Sequence, residues 1–289
     1  MTRFLIVALL TAMACHAGTA AAETSTVFAR ENLAAWCIVP FDAKKRGPEA
    51  RAEMLERLGI TRLAYDWRDE HIPTFDKEVE SLKARKIELL AWWFPSTLND
   101  TAKKILDTLK RHDQQPQLWV MLGQPKAATQ DEKVAECVRA LRPIAEAAQD
   151  AGCKVGLYNH GGWFGEPENQ VAIIKALNLP NAGMVYNFHH GHAHAGRFAE
   201  LFKLMQPHLL AVNINGMARD GDKKGKKILP VGSGDDDVAM LKVVAESGWR
   251  GPIGVLCHRN DADAEAVLFE NMNGLKKLCA ENPALTQTK

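Results

Sequence analysis

Short apolar runs and longer amphipathic stretches alternate along the whole chain. Strand-like runs occupy Leu33–Val39, Arg62–Trp67, Glu88–Trp93, Gln117–Leu122, Val155–His160, Gly183–His189, Leu209–Ile214 and Ile253–Cys257. The segments between them carry helical spacing. Pro48–Leu58 places Met54, Leu55 and Leu58 on one face, and Phe75–Arg85 does the same with Phe75, Val79 and Leu82. Further helices are expected over Thr101–His112, Asp131–Ala151, Asn169–Leu177, Arg197–Met205, Asp236–Ser247 and Ala262–Glu281. Gly59, Gly152 and Gly248 stand where three of these helices should end, because glycine accepts the left-handed conformation at low cost. Runs such as Gln117–Leu122 are apolar almost throughout, as strands covered on both faces must be. Eight such alternations predict a parallel sheet closed into a (β/α)8 TIM barrel.

Length and charge narrow this picture. The chain has 289 residues, and Met1-Thr2-Arg3, the apolar stretch Phe4 to Ala14 and Ala20-Ala21-Ala22 resemble a secretory leader over residues 1–22. The remainder, residues 23–289, amounts to one barrel domain of about 33 residues per β/α unit. The leader's apolar run is too short to cross a bilayer, and no later run is long enough, so no membrane span is expected. Export to the periplasm or medium is the reading; a lipoprotein signal at Cys15 fits the preceding Ala12-Met13-Ala14 poorly. Cys37, Cys137, Cys153, Cys257 and Cys279 remain, an odd number without close spacing, and are expected to be buried small hydrophobes. Thirty-six basic against 35 acidic residues leave no basic excess for a nucleic-acid partner. Neither GxGxxG nor GxxxxGK[ST] is present, which removes the dinucleotide and P-loop readings.

The candidate chemistry gathers where a barrel builds its site, at the C-terminal ends of the strands. Six of the ten histidines, His160, His189, His190, His192, His194 and His258, fall after strands five, six and eight. Imidazole serves there as a metal ligand or a proton carrier, and each could equally be a loop histidine held by hydrogen bonds. His160 and His189 are the candidate acid and base, with Asn187 sharing the strand face of His189. Asp66, between Tyr65 and Trp67, is a second candidate acid or base, since apolar company raises a carboxyl pKa. Trp36, Trp67 and Trp163 are candidates to stack on a sugar ring, and Asn213 and Asn215 to bind hydroxyls. Asp235-Asp236-Asp237 are expected to cap a helix. The lysine-rich stretch Gly216 to Pro230 is expected to be a loop with solvated lysines.

Tyr158-Asn159-His160, Gly191-His192-Ala193 and Leu229-Pro230-Val231-Gly232-Ser233-Gly234, in this order of elements, resemble the xylose isomerase-like TIM-barrel family, the sugar phosphate isomerase/epimerase group. The likeness runs from about Asn32 to Glu281 and looks closest to secreted bacterial members. It implies a sugar or glycoside substrate, and a divalent cation held by Glu, Asp, His and Glu on strands five to eight. At those positions this chain has Trp163, His189, Asn213 and Cys257 or His258; His160 and His192 do match family histidines. A site of His160, His189 and His258 would suit zinc, manganese or a similar ion. The resulting expectation is an exported sugar isomerase, epimerase or keto-sugar lyase, working by proton transfer beside a carbonyl. The alternative is a sugar-binding barrel without catalytic metal.

Overall fold

The computed structural model describes residues 26–286. The expected leader, residues 1–22, lies outside them. Eight strands, β1 (Leu33–Trp36), β2 (Arg62–Tyr65), β3 (Glu88–Phe94), β4 (Gln117–Val120), β5 (Lys154–Tyr158), β6 (Ala182–Asn187), β7 (Leu209–Ile214) and β8 (Ile253–Leu256), pair in sequence order. The ring closes through parallel pairing of β1 with β8, Leu33 opposite Ile253 and Trp36 opposite Leu256. This is the (β/α)8 barrel that the alternation implies.

The surrounding helices are α1 (Pro48–Arg57), α2 (Phe75–Ala84), α3 (Asp100–Arg111), α4 (Gln130–Asp150), α5 (Gly162–Gly165), α6 (Pro167–Leu177), α7 (Phe198–Met205), α8 (Asp237–Glu246) and α9 (Ala264–Glu281). The single turn α5, after β5, carries no periodic apolar signal and was not expected. Gly59, Gly152 and Gly248 follow α1, α4 and α8 with φ of 62°, 71° and 77°, as expected of helix ends. Several expected strands are longer than observed: β1, β2, β5 and β6 end two or three residues earlier, at Trp36, Tyr65, Tyr158 and Asn187. The residues that follow, Cys37, Asp66, Asn159 to His160 and Phe188 to His189, leave the ladder to form the mouth.

Alternation along each strand divides the core into two layers. Leu33, Leu63, Leu118, Val155 and Ile253 face the helices, while Ala34, Trp36, Ala64, Ala91, Trp119, Tyr158, Val185, Ala211 and Leu256 fill the barrel. Alanines on β1, β2, β3 and β7 leave room for two indoles, with the Trp36 and Trp119 rings 4.7 Å apart edge to face. Trp92 and Trp93 are consecutive, so they point to opposite faces. Trp92 packs outward on Tyr65 and Phe75, whereas Trp93 reaches inward beside Trp36. Arg51 of α1 and Glu78 of α2 form a buried ion pair behind this wall.

Candidate active site

Above the Trp36–Trp119 layer the mouth opens into a cleft lined by Trp36, Cys37, Phe41, Asp66, Arg68, Trp93, Tyr158, His160, His190 and His258. Its floor is set by how β1 and β2 end. Cys37 turns the chain with a left-handed φ of 58°. The Val39 amide then donates to Asp66 Oδ1 at 3.2 Å. Asp66 Oδ2 is buried without a partner among the described residues. Burial raises the Asp66 pKa to about 7, against the opposing pull of the Arg68 charge. Burial also pushes the Cys37 thiol up, so it is no nucleophile at neutral pH.

The wall from β5 and β6 is built by asparagines. Asn159 Oδ1 accepts the Asn187 amide at 2.7 Å, clamping the strand ends together and turning His160 over the mouth. Tyr158 accepts at its hydroxyl from Trp36 Nε1 at 3.2 Å and from Asn187 Nδ2. With both lone pairs engaged, its own proton is free to be donated. Burial holds that phenol well above its usual pKa, so the proton stays on.

Four histidines share the mouth. Ring centroids are 4.3 Å apart for His160 and His190, 3.6 Å for His189 and His190, and 5.6 Å for His189 and His258. Burial first, then mutual repulsion, lowers the pKa of His189 well below its ordinary value and that of His190 to about 3. His160 and His258 shift downward for the same leading reason. All four are therefore neutral at pH 7. His258 also stacks on Phe41, centroids 3.8 Å apart.

The other expected residues fall elsewhere. Trp67 is buried in the outer core, donating to the Trp93 carbonyl at 2.6 Å and packing edge-on against Phe75. Trp163 sits on the rim, bonded to Gln130 Oε1 at 2.9 Å with Lys133 over its ring, and does not line the cleft. Asn187 acts beneath the cleft through Tyr158. Asn215 turns into its own loop, donating to the Gly216 carbonyl at 2.8 Å. Asn213 is fully buried, with both amide atoms unpartnered among the described residues. His192 ties down the lysine-rich loop, its ring nitrogens 3.2 and 2.8 Å from the Ala218 and Lys227 carbonyls. His194 lies between Tyr186 and Glu166. Asp237, expected as a cap, instead accepts the Met217, Gly232 and Gly234 amides. Arg68 lines the cleft although the sequence did not single it out, beside Trp93 and Tyr158 at strand ends and His190 of the clustered histidines.

These donors do not fit the cation that the resemblance implies. A hard ion needs carboxylate oxygens, and Trp163, His189, Asn213 and Cys257 stand at the places concerned. The expected zinc-like set of His160, His189 and His258 is not formed either. The His189 ring lies against His190, and no group of three or more His, Cys, Asp or Glu able to hold a metal ion exists among the described residues.

A closed parallel barrel with an aromatic-walled cleft at its C-terminal mouth defines the class. Residues 97–278 match the model of the xylose isomerase-like TIM barrel, and the chain belongs to that family. No curated protein matches the sequence. Among solved structures, the IolI protein with a bound zinc atom superposes with a TM-score of 0.67 at 17% identity, over 88% of this chain and 98% of that one. The 3-keto-D-glucoside 4-epimerase YcjR from E. coli gives 0.64 at 12%, over 86% and 99%. A D-allulose 3-epimerase from Methylomonas sp. gives 0.66 at 16%, over 86% and 98%. At these identities the likeness is one of fold.

Proposed function

We propose that the protein is an exported sugar-transforming enzyme of epimerase, isomerase or keto-sugar lyase type, which moves a proton on the carbon beside a sugar carbonyl. The observation that carries this reading is Asp66: a buried carboxyl group beside the Cys37 thiol, with Oδ2 unpartnered among the described residues, on the floor of an aromatic cleft and held at a pKa of about 7. A group half ionised at neutral pH both takes and returns a proton efficiently. Ionised Asp66 removes the proton, and the Tyr158 hydroxyl together with a neutral His160 N–H stabilises the enediolate oxygen that forms. Protonated Asp66 then gives the proton to the adjacent carbon while the neighbouring hydroxyl passes its proton to the former carbonyl oxygen, completing an isomerisation, or gives it to a departing oxygen, completing an elimination. Trp36 and Trp93 supply apolar faces for the ring. No step is routed through a metal.

The test is deuterium wash-in at the carbon next to the carbonyl of keto-sugars and 3-keto-glycosides, with and without added divalent metal. Wild type is expected to exchange, and Asp66→Asn to lose about 10²–10⁴ of that rate. An Asp66→Asn variant that exchanges at the wild-type rate rejects the assignment. The missing family carboxylates favour a second reading, a barrel that binds sugar without turnover; saturable sugar binding with no exchange would support it. Export rests on the leader pattern, and the N-terminal residue of the mature protein tests it.

A further inference from the structure

We propose that the cleft selects a sugar carrying a carboxylate, of uronic-acid type, and that Arg68 is the residue that reads it. The inference deepens the proposed function by naming the substrate class of the same site.

Arg68 lines the cleft at the end of β2. Among the described residues its guanidinium is held there through one nitrogen: Nη1 donates to the carbonyls of Asp66 at 2.9 Å and Trp67 at 2.7 Å. The guanidinium also lies over the Phe41 ring, 5.4 Å from its centroid. No carboxylate lies within 4.0 Å of it among the described residues, in contrast to Arg46, Arg51, Arg57, Arg111 and Arg197, each of which is in an ion pair. The Asp66 contact is to the backbone oxygen, not the carboxyl group. Arg68 is exposed at the mouth, and its remaining N–H groups have no protein acceptor among the described residues, so the stacked guanidinium can present them as a fork to a planar anion. Of the rest of the lining, the three imidazoles are neutral, and Asp66 is the one lining group that adds negative charge when it ionises. Lys227 adds positive potential that all four mouth histidines feel, although its own ammonium is 3.2 Å from Asp222.

A phosphate ester is disfavoured by what fills the usual phosphate place. Barrels bind phosphate at the loops after strands seven and eight, on backbone N–H groups at helix starts. Here those N–H groups are already taken by the chain's own carboxylates. Asp237 accepts the Gly232 and Gly234 amides at 2.7 and 3.1 Å. At the start of α9, Asp42 accepts the Ala264 amide at 3.2 Å and Asp263 the Glu265 amide at 3.1 Å. A dianion would meet negative charge there, whereas a single carboxylate on Arg68 does not.

The experiment is a calorimetric titration of the full chain with methyl glycosides of glucuronic and galacturonic acid, glucose, galactose and glucose 6-phosphate. Wild type, Arg68→Gln and Arg68→Lys are compared, each checked for an unchanged melting profile. A uronide is expected to bind about 10- to 100-fold tighter than its neutral counterpart, the size of a charge-assisted hydrogen bond. Arg68→Gln should remove that preference, and Arg68→Lys should restore part of it. Equal affinity for charged and neutral sugars, no binding of either uronide, tighter binding of glucose 6-phosphate, or a preference that survives Arg68→Gln would each overturn the inference. Binding needs no turnover, so uronide binding without deuterium exchange fails only the catalytic reading. Exchange on neutral keto-sugars without charge preference fails only this one.

Discussion

Asn213 on β7 and Gly254 on β8 are register partners, and the Asn213 amide occupies the space in which a side chain at 254 would begin. A Cβ on Gly254 would stand 1.9 Å from Asn213 Oδ1. Both amide atoms of Asn213 are buried without a partner among the described residues. Burying such a group costs about 1–3 kcal/mol in a protein interior, so the fold keeps it at the expense of stability. Asn213→Ala is therefore expected to leave the melting temperature unchanged or raised. Gly254→Ala should lower stability by about 1–3 kcal/mol, because the β-carbon forces Asn213 aside. Denaturant unfolding of both variants checks the opposite signs.

Asp66→Asn separates catalysis from folding in the same way. The carboxyl group is held in a site that disfavours its charge, and a neutral amide of the same size removes that penalty. Unfolding at about pH 8, where the native carboxylate is charged, should show the variant at least as stable as wild type. Deuterium exchange should be lost in the same sample. A variant clearly less stable at that pH would mean that the carboxylate is a structural acceptor for Val39 rather than an acid-base group.

Tyr158→Phe keeps the ring of the cleft wall but strips an acceptor from Trp36 Nε1 and Asn187 Nδ2. Leaving buried donors unmatched costs about 1–3 kcal/mol each, so the variant should unfold at lower denaturant. Loss of the only proton that Tyr158 can offer a substrate oxygen should also reduce kcat by about 10- to 1000-fold with little change in KM. A fall in stability with kcat intact would reduce Tyr158 to a structural role.

The barrel was legible in the sequence because its signal is repeated. β7 spans Leu209–Ile214 as the apolar run implies, and the helix starts fall within two residues of those expected. The site was less legible because it is made by residues that leave the ladders. His189, His190, His192 and His194 form one run in sequence, yet two 3-10 turns send the first pair to the mouth and the second pair to Lys227 and Glu166. Trp67 and Trp93 differ only in which face of a β-end they take. Arg68 follows Asp66 by two residues, and only the fold shows its guanidinium turned to two carbonyls rather than to that carboxyl group.

Acidification should destabilise the fold, and the sign follows from the histidines. His190 has its pKa lowered from an ordinary 6.5 to about 3, and His189, His160 and His258 shift the same way. Between those limits the unfolded chain binds protons that the folded chain refuses, so stability is fully present above about 6.5 and is lost as pH falls toward 3. Asp66 acts in the opposite sense. Its raised value means that the folded state holds a proton between 3.8 and about 7, a contribution lost as pH rises through 7. Six histidines shift down, His71 and His208 included, against three carboxyl groups, Asp66, Glu78 and Asp237, that shift up, so unfolding free energy should climb from about pH 4.5 to about 6.5 and level off beyond about 7. His190→Gln cannot titrate and should flatten the climb by at most about 1.4 kcal/mol per pH unit. Activity should follow the other group, with kcat/KM rising through about pH 7 as Asp66 ionises. Equal stability at the two ends of the acid range, or a rate that falls across neutrality, would show that the histidines are not buried neutral or that Asp66 is not the base.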